Sequence, residues 1–365
     1  MSTLFHIFNS IQNSLFPWLE EALDPLSAKE QKFVQVISLM DLQTHMKAYR
    51  WQGIGRKRKN RMKLAKAFVA KAIYNFETTD ILIDYLRGCK NIRRLCGWEN
   101  PWQVPSKSTF SRAFAQFSQA HLTQGIHEAM VKEHCGEKLA GHISRDSTAI
   151  AAREKPVKKK SDESVAQPKR KPGRPRKGEV VAPKPPKRLD LQPARTLADN
   201  LEDLPTQCDV GTKKNSKGYK ESWIGYKLHL DCIDGDIPVS TLLTSASLHD
   251  SQAAIPLSQM SQDRITNLYD LMDSAYDAPQ IHSFSKNLGH KPIIDHNPRR
   301  GEKIYMDPAS KARFAQRSSA ERVNAYLKDN YGGRNIRVKG AAKVMTHLMF
   351  GIIAITATQL FHLLE

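Results

Sequence analysis

Apolar residues recur at helical spacing through about the first 135 positions, and then the period changes. In DPLSAKEQKFVQVISLM, Phe33, Ile37 and Met40 follow at intervals of three and four, behind Ser27 and Glu30, the two halves of a capping box. Leu64, Phe68 and Ala72 mark one face of a later helix. In VPSKSTFSRAFAQFS, Phe110, Phe114 and Phe117 form a stripe that leaves Lys107, Ser111 and Arg112 outward, with Ser106 or Ser108 as cap. LAGHIS then reads as a strand with Asp146 at its end. Ile224, Tyr226, Leu228 and Leu230 alternate with Trp223, Gly225, Lys227 and His229, the period of a half-buried strand, and Asp234-Gly235 is a hairpin turn. LHDSQAAIPLSQM predicts a helix capped by Asp250. ITNLYDLMD predicts a strand with Tyr269, Leu271 and Asp273 on one face and Asp270 on the other. Asp277, just before Ala278-Pro279, suits a helix cap, and KPIID is a further short strand. Two helices close the chain. The most apolar stretch, HLMFGIIAITATQLFHLL, is interrupted by Thr356, Thr358, Gln359 and His362. It falls short of the roughly 20 apolar residues of a membrane span and predicts a buried core helix. The pattern predicts an α/β fold, a mixed sheet flanked by helices over 136–365, behind an all-helical domain over 1–135.

Charge adds a partner. Lys and Arg number 56 against 37 Asp and Glu, a net charge of +19, which points to a polyanion, most often nucleic acid. A merely basic protein is the plainer alternative. Seven basic residues fall between Arg56 and Lys66. The outward face of the Phe110 helix is either a recognition helix for a DNA groove or an ordinary amphipathic surface. The five cysteines form no C-x-x-C pair and are odd in number, which argues against a zinc site or disulfide framework and fits a reducing cytoplasm. The N-terminal stretch lacks the basic n-region and cleavage site of a signal peptide.

From Arg153 to Gly218 there is no aromatic residue, and residues 153–190 hold 14 Lys or Arg, five acids and seven Pro. So little apolar surface cannot offset ordering entropy, so the stretch predicts a disordered basic insertion. Within it, RKPGRPRKG resembles the AT-hook, whose Arg174 and Arg176 would lie in the narrow minor groove of A·T-rich DNA. A charged linker touching only phosphates is the alternative.

Chemistry on DNA is most naturally phosphoryl transfer, in which two divalent metals held by a few carboxylates stabilise the attacking and leaving oxygens. Asp146 and Asp273, each at a strand end, and Glu321, in RFAQRSSAERVNAYLK, are the candidates. Arg317 and Lys328 lie within about 40° of Glu321 on a helical wheel, while Ala320, Val323 and Leu327 fall on another face. Taken alone, such a stripe is more plainly a solvated ion-pair face. The spacing of Phe314, Arg317, Glu321 and Lys328, however, resembles the Tyr-x2-Arg-x3-Glu-x6-Lys signature of DDE transposases from bacterial insertion sequences, with Phe in place of Tyr. RDSTAI resembles the first-acid motif of that family, and DSAYD the second, with Ala275 in place of Gly. WIGYKLHL, LHDS and IRVKGAAKVMTHLMFGIIAITA look like further segments common in it.

The resemblance implies a ribonuclease H-like catalytic domain with the first acid on the central strand, the second on a strand beside it and the third on a later helix. It implies that Asp146, Asp273 and Glu321 hold two Mg2+ ions, for which Mn2+ can substitute, and that Arg317 and Lys328 grip DNA phosphates. It further implies cleavage at element ends, attack of the released 3′-hydroxyl on target DNA, and a homodimer on double-stranded DNA, working in the bacterial cytoplasm at the nucleoid. The alternatives are an inactive or domesticated DNA-binding protein and a nuclease of the same fold.

Overall fold

The capping box forms as the sequence predicts. The Ser27 N–H donates to Glu30 Oε2 at 2.8 Å, the Glu30 N–H donates to Ser27 Oγ at 3.4 Å, and helix α3 follows. The structure is a computed structural model that describes residues 3–49, 53, 59–157, 186–214, 217–299 and 301–364. The N-terminal region is helical: α1 (Thr3–Ser10), α2 (Phe16–Ala22), α3 (Ala28–Leu39), α4 (Leu42–His45), α5 (Arg61–Ile73), α6 (Thr79–Gly88), α7 (Lys90–Leu95), α8 (Lys107–Gln119) and α9 (Leu122–Cys135). Asn60 caps α5, its side chain accepting from the N–H groups of Met62 and Lys63. On α8, Phe110, Phe114 and Phe117 are buried, and Lys107, Ser111 and Arg112 are exposed.

The sheet follows. In chain order come β1 (Leu139–Ala151), α10 (Arg188–Leu191), α11 (Leu197–Asp203), β2 (Asp209–Lys214), β3 (Lys220–Ile233), β4 (Ile237–Ser245), α12 (Ser251–Gln262), β5 (Thr266–Met272), α13 (Pro279–Asn287), β6 (Lys291–Ile294), α14 (Pro308–Phe314), α15 (Ser318–Asn330) and α16 (Ala341–His362). Six strands form one mixed sheet among the described residues, in the order β2-β3-β1-β5-β6, with β4 also paired to β3. β1 is antiparallel to β3 and parallel to β5. α16 is apolar all round, and 89% of its most apolar stretch is buried, so it is a core helix. It packs on α3, α5, α8 and α9 on one side and on β4 on the other, joining the helical region and the sheet in one hydrophobic core.

Four expectations change. β1 does not end before Asp146 but runs on to Ala151, because β3 keeps pairing with it from Ile143↔Ile233 to Ala151↔Gly225. The polar run Arg145–Thr148 looks like a strand end, yet Arg145 is buried and makes a two-pronged pair with Asp231, at 2.7 Å for both Nε and Nη2. β3 is not half-buried beyond Leu228: His229 and Asp231 are as buried as Leu228 and Leu230, since α12 covers the second face. Within the 153–218 stretch read as insertion, α10, α11 and β2 are ordered. Order there comes from buried amides rather than apolar mass. Gln192 donates to the Gln252 carbonyl at 2.7 Å, and Asn200 donates to Gln259 Oε1 at 2.9 Å, both against α12. Arg174 and Arg176 lie outside the described residues. Finally, Asp250 and Asp277 stand ahead of α12 and α13 without capping them through their side chains. Both carboxylates turn to cationic or imidazole partners instead, Asp250 to Lys227 at 2.8 Å and Asp277 to His282 at 2.9 Å.

Breaking the Arg145–Asp231 pair leaves a buried unpaired charge, so Arg145→Ala should cost about 3–5 kcal/mol in urea unfolding. Lys90→Ala, which removes an exposed pair with Asp24 at 3.6 Å, should cost under about 1 kcal/mol.

Candidate active site

The parallel pairing of β1 with β5 ends at Ser144↔Leu271. Two residues further along each strand direction stand Asp146 and Asp273. Side chains alternate with a period of two, so both acids project on the face of Ser144 and Leu271, side by side where the strands part. Asp146 is pushed up to about 6, by burial first and by the charge of Asp273, against the pull of Arg317, the Ser147 N–H and Asn324. Asp273 is also raised, by burial first and then by Asp250 and Asp295, against the Ala275 N–H and Arg317. Its carboxylate accepts the Ala275 N–H at 2.9 Å, fixing the turn that leaves β5.

The third candidate arrives on a helix docked over this face. Ser144 Oγ donates to the Gln316 carbonyl at 3.0 Å, and Ser319 Oγ donates to the Ile233 carbonyl at 3.4 Å, seating the start of α15 on β1 and β3. Arg313 of α14 lies over the Tyr269 ring, 4.3 Å from its centre. Arg317 ends the 3-10 turn that joins α14 to α15. Its Nη1 lies 3.8 Å from Asp146 Oδ1, and its Nη2 pairs with Glu321 one turn on. The Phe314 ring, 5.6 Å away, stands beside the guanidinium where the family signature has Tyr. Lys328 is lowered, by burial first and then by Lys213 and Arg334, with Asp146 opposing. Arg317 and Lys328 therefore both reach toward Asp146.

Asp146, Asp273 and Arg317 come within electrostatic reach of one another, and Lys328 within reach of Asp146. Glu321 does not join the two aspartates directly. Its side chain is 54% exposed and held by Arg317. Among the described residues no three His, Cys, Asp or Glu side chains cluster closely enough to hold a metal. Two crowded carboxylates with raised affinity for protons are a hard, oxygen-only donor set that suits Mg2+ or Mn2+. The rival acids are spoken for. Asp270 is buried on the opposite face, bonded to Ser285, Asn267 and His290. Asp277 accepts the Asn297 N–H at 2.9 Å besides pairing with His282.

Two features escaped the sequence. Asn324 Nδ2 donates to Asp146 Oδ2 at 2.9 Å, and its place seven residues past Arg317 on one helix face was the available signal. Behind the acids, Lys227 ties Asp250 to the Leu248 carbonyl at 2.7 Å, bringing together WIGYKLHL and LHDS. No spacing in the chain announces that contact.

A model described as "Transposase DDE domain" matches residues 179–357, and one described as "Transposase domain (DUF772)" matches residues 20–116. The chain belongs to the DDE transposases of insertion sequences. It is thus a DNA-processing enzyme of a family that normally uses divalent metals. Asp273, Arg317, Glu321 and Lys328 fall inside the first match, whereas Asp146 lies between the two. No curated protein matches the chain.

The raised affinity of Asp146 for its proton sets a stability test. The folded state binds that proton more tightly than the unfolded chain, so the penalty for ionising it is absent near pH 3 and grows between the ordinary value of 3.8 and about 6. Above that it is constant. Asp146→Asn should therefore stabilise the metal-free protein at pH 8 by roughly 2 kcal/mol, and the gain should vanish below pH 4. Thermal melts in a chelator at the two pH values read this directly.

Proposed function

We propose that this chain binds the ends of an insertion sequence, cuts the DNA and joins the released 3′-hydroxyl to target DNA, with Asp146, Asp273 and Glu321 as the catalytic carboxylates. The observation that carries it is the Arg317 guanidinium, which pairs with Asp146 and Glu321 and lowers Asp273 through its charge. One side chain thereby links three acids that lie far apart in sequence. A central strand with the first acid, a parallel neighbour with the second and a later helix with the third support a ribonuclease H-like catalytic domain over 136–365.

Two Mg2+ ions, or Mn2+, bound by these carboxylates would supply the positive charge that activates the attacking oxygen and stabilises the leaving one. The chain's own residues do the rest. Asp146 and Asp273 stand fixed by the sheet, and Asn324 orients the Asp146 carboxylate. Glu321 joins them when Arg317 exchanges its carboxylates for a DNA phosphate. Arg317 and Lys328 then hold the scissile phosphate and offset charge developing on it. Lys107, Ser111 and Arg112 on α8 form a candidate duplex-contacting face. Arg174 and Arg176 add an AT-hook-like contact from the basic stretch. Two copies paired on DNA would bring both element ends to one target, in the cytoplasm at the nucleoid.

Asp146→Asn, Asp273→Asn and Glu321→Gln should each abolish Mg2+-dependent cleavage of an element-end duplex while leaving its binding nearly intact, and pairs of them should lose no more than one alone. Arg317→Ala should slow cleavage about 100-fold and weaken binding far less. Cleavage surviving in Asp273→Asn would remove that residue from the site. Hydrolysis with no strand joining would make the chain a nuclease. On duplexes with A·T-rich and G·C-rich flanks, changing Arg174 and Arg176 to Ala should weaken A·T-rich binding more than G·C-rich binding. Equal losses would leave a charged tether.

A further inference from the structure

Where α5, α6 and α8 meet the segment leading into α16, the protein forms a half-open cavity of about 540 Å³, within the roughly 300–1,000 Å³ range of small-ligand sites. The floor is aromatic. Phe68 packs against Phe114 and Phe350 with ring centres 5.0 and 5.6 Å away, and half-buried Phe76 stands in the wall. The rim is basic, with six Lys or Arg against two acids. Both acids are already engaged, Glu77 by Arg337 at 2.9 Å and Asp80 by Lys107. Lys71, Arg153, Lys339 and Lys343 have no carboxylate partner among the described residues. Burial holds the Lys71 ammonium down to about 8, with Arg337 adding and Glu77 opposing. First-turn residues of α6, α8 and α16 also line the cavity, adding the positive ends of three helices.

The cavity lies by the C-terminal end of α15, the end opposite Arg317. Gly332, two residues past the end of α15, lines it. Lys328, in the last turn of α15, and Arg334, just past it, are close enough to repel each other. A half-open recess of this volume has room for one base but not for a duplex, while the rim matches phosphate. Stacking on aromatics beside a basic track is how single strands are held.

We propose that this cavity holds one unstacked nucleotide of a DNA strand, its base on the Phe68–Phe114–Phe350 floor and its phosphates on Arg153, Lys339 and Lys343. The proposal rests on the reading of the chain as a DNA-processing enzyme but uses none of its acids.

A single-stranded oligonucleotide carrying one 5-iododeoxyuridine, irradiated with the full-length protein in a chelator and mapped by peptide mass, tests it. Crosslinks should fall in the peptides containing Phe68 to Phe76 and Lys107 to Phe114. Ser111→Trp, which fills the cavity without removing charge, should cut their yield at least tenfold, as should Lys339→Gln with Lys343→Gln. On the unaltered protein, an abasic site at the probe's neighbouring positions should leave the yield intact, whereas a duplexed probe should lower it at least tenfold. Crosslinks elsewhere, an unchanged yield in Ser111→Trp, or equal yield from the duplexed probe would overturn the proposal. So would dTMP displacing the strand at the strand's own concentration, which would make this a site for free nucleotide. Mg2+-dependent cleavage by the unaltered protein, read in parallel, separates failure of the cavity from failure of the DNA-processing reading. Cleavage with no crosslink in the cavity sinks only the former.

Discussion

Arg145 and Asp231 stand directly opposite each other on β1 and β3, both essentially without exposure. Two charges taken so far from water must find each other and fill their remaining hydrogen bonds. Asp231 does so with both guanidinium contacts and with Ser261 Oγ at 2.8 Å. The pair fixes register. A slip of one residue would turn every side chain of β1 to the wrong face, sending Arg145 toward α15 and Asp146 into the layer beneath α12. With the register held, Asp146 must project to the face where β5 ends and α15 lies. A structural ion pair on one side of a strand thus sets the aim of the carboxylate next to it.

α16 supplies the second constraint. A helix apolar on every side needs cover on every side, and neither the helical region nor the sheet is sufficient alone. Both therefore close on it. Gly351 lets α16 come within reach of α15, since a Cβ there would lie 2.7 Å from the Tyr331 carbonyl and 2.8 Å from Leu327. That close crossing carries the Arg317–Lys328 stripe onto the strand acids. It also brings the start of α16 against α5 and α8, which makes the basic cavity. The acid site and the cavity are two consequences of one packing arrangement.

What could be read in the chain were features with local causes. The Ser27–Glu30 box, the Asp234-Gly235 hairpin, the buried C-terminal helix and the facing of Asp273 against Asp270 follow from near neighbours and from period. What could not be read depended on partners distant in sequence. The polar run at Arg145–Thr148 is mid-strand only because Asp231 waits 86 residues on. Within the aromatic-free segment, α10 and α11 are held by Gln192 and Asn200, whose hydrogen bonds to α12 leave no mark in an apolar pattern. Asp250 forgoes the start of α12 because Lys227 offers a full charge where the helix end offers a partial one. Of the candidate site, the grouping of Asp146, Asp273 and Glu321 with Arg317 and Lys328 was expected from the resemblance, not from spacing alone. The Arg317–Glu321 pair was foreseen as an ion-pair face, whereas the Asn324 bond to Asp146 depended on a partner 178 residues away.

The claim at the centre is that Asp146, Asp273 and Glu321 serve one cation site although only the first two stand together at rest. Iron(II) bound in place of Mg2+ generates hydroxyl radicals that cut the polypeptide around the metal, and the fragments map the chain surrounding it. With an element-end duplex bound, cuts should appear together near residues 146, 273 and 321, and Asp146→Asn should remove all three. Cuts confined to other segments, or a cut near Glu321 that survives Asp146→Asn, would contradict a shared site.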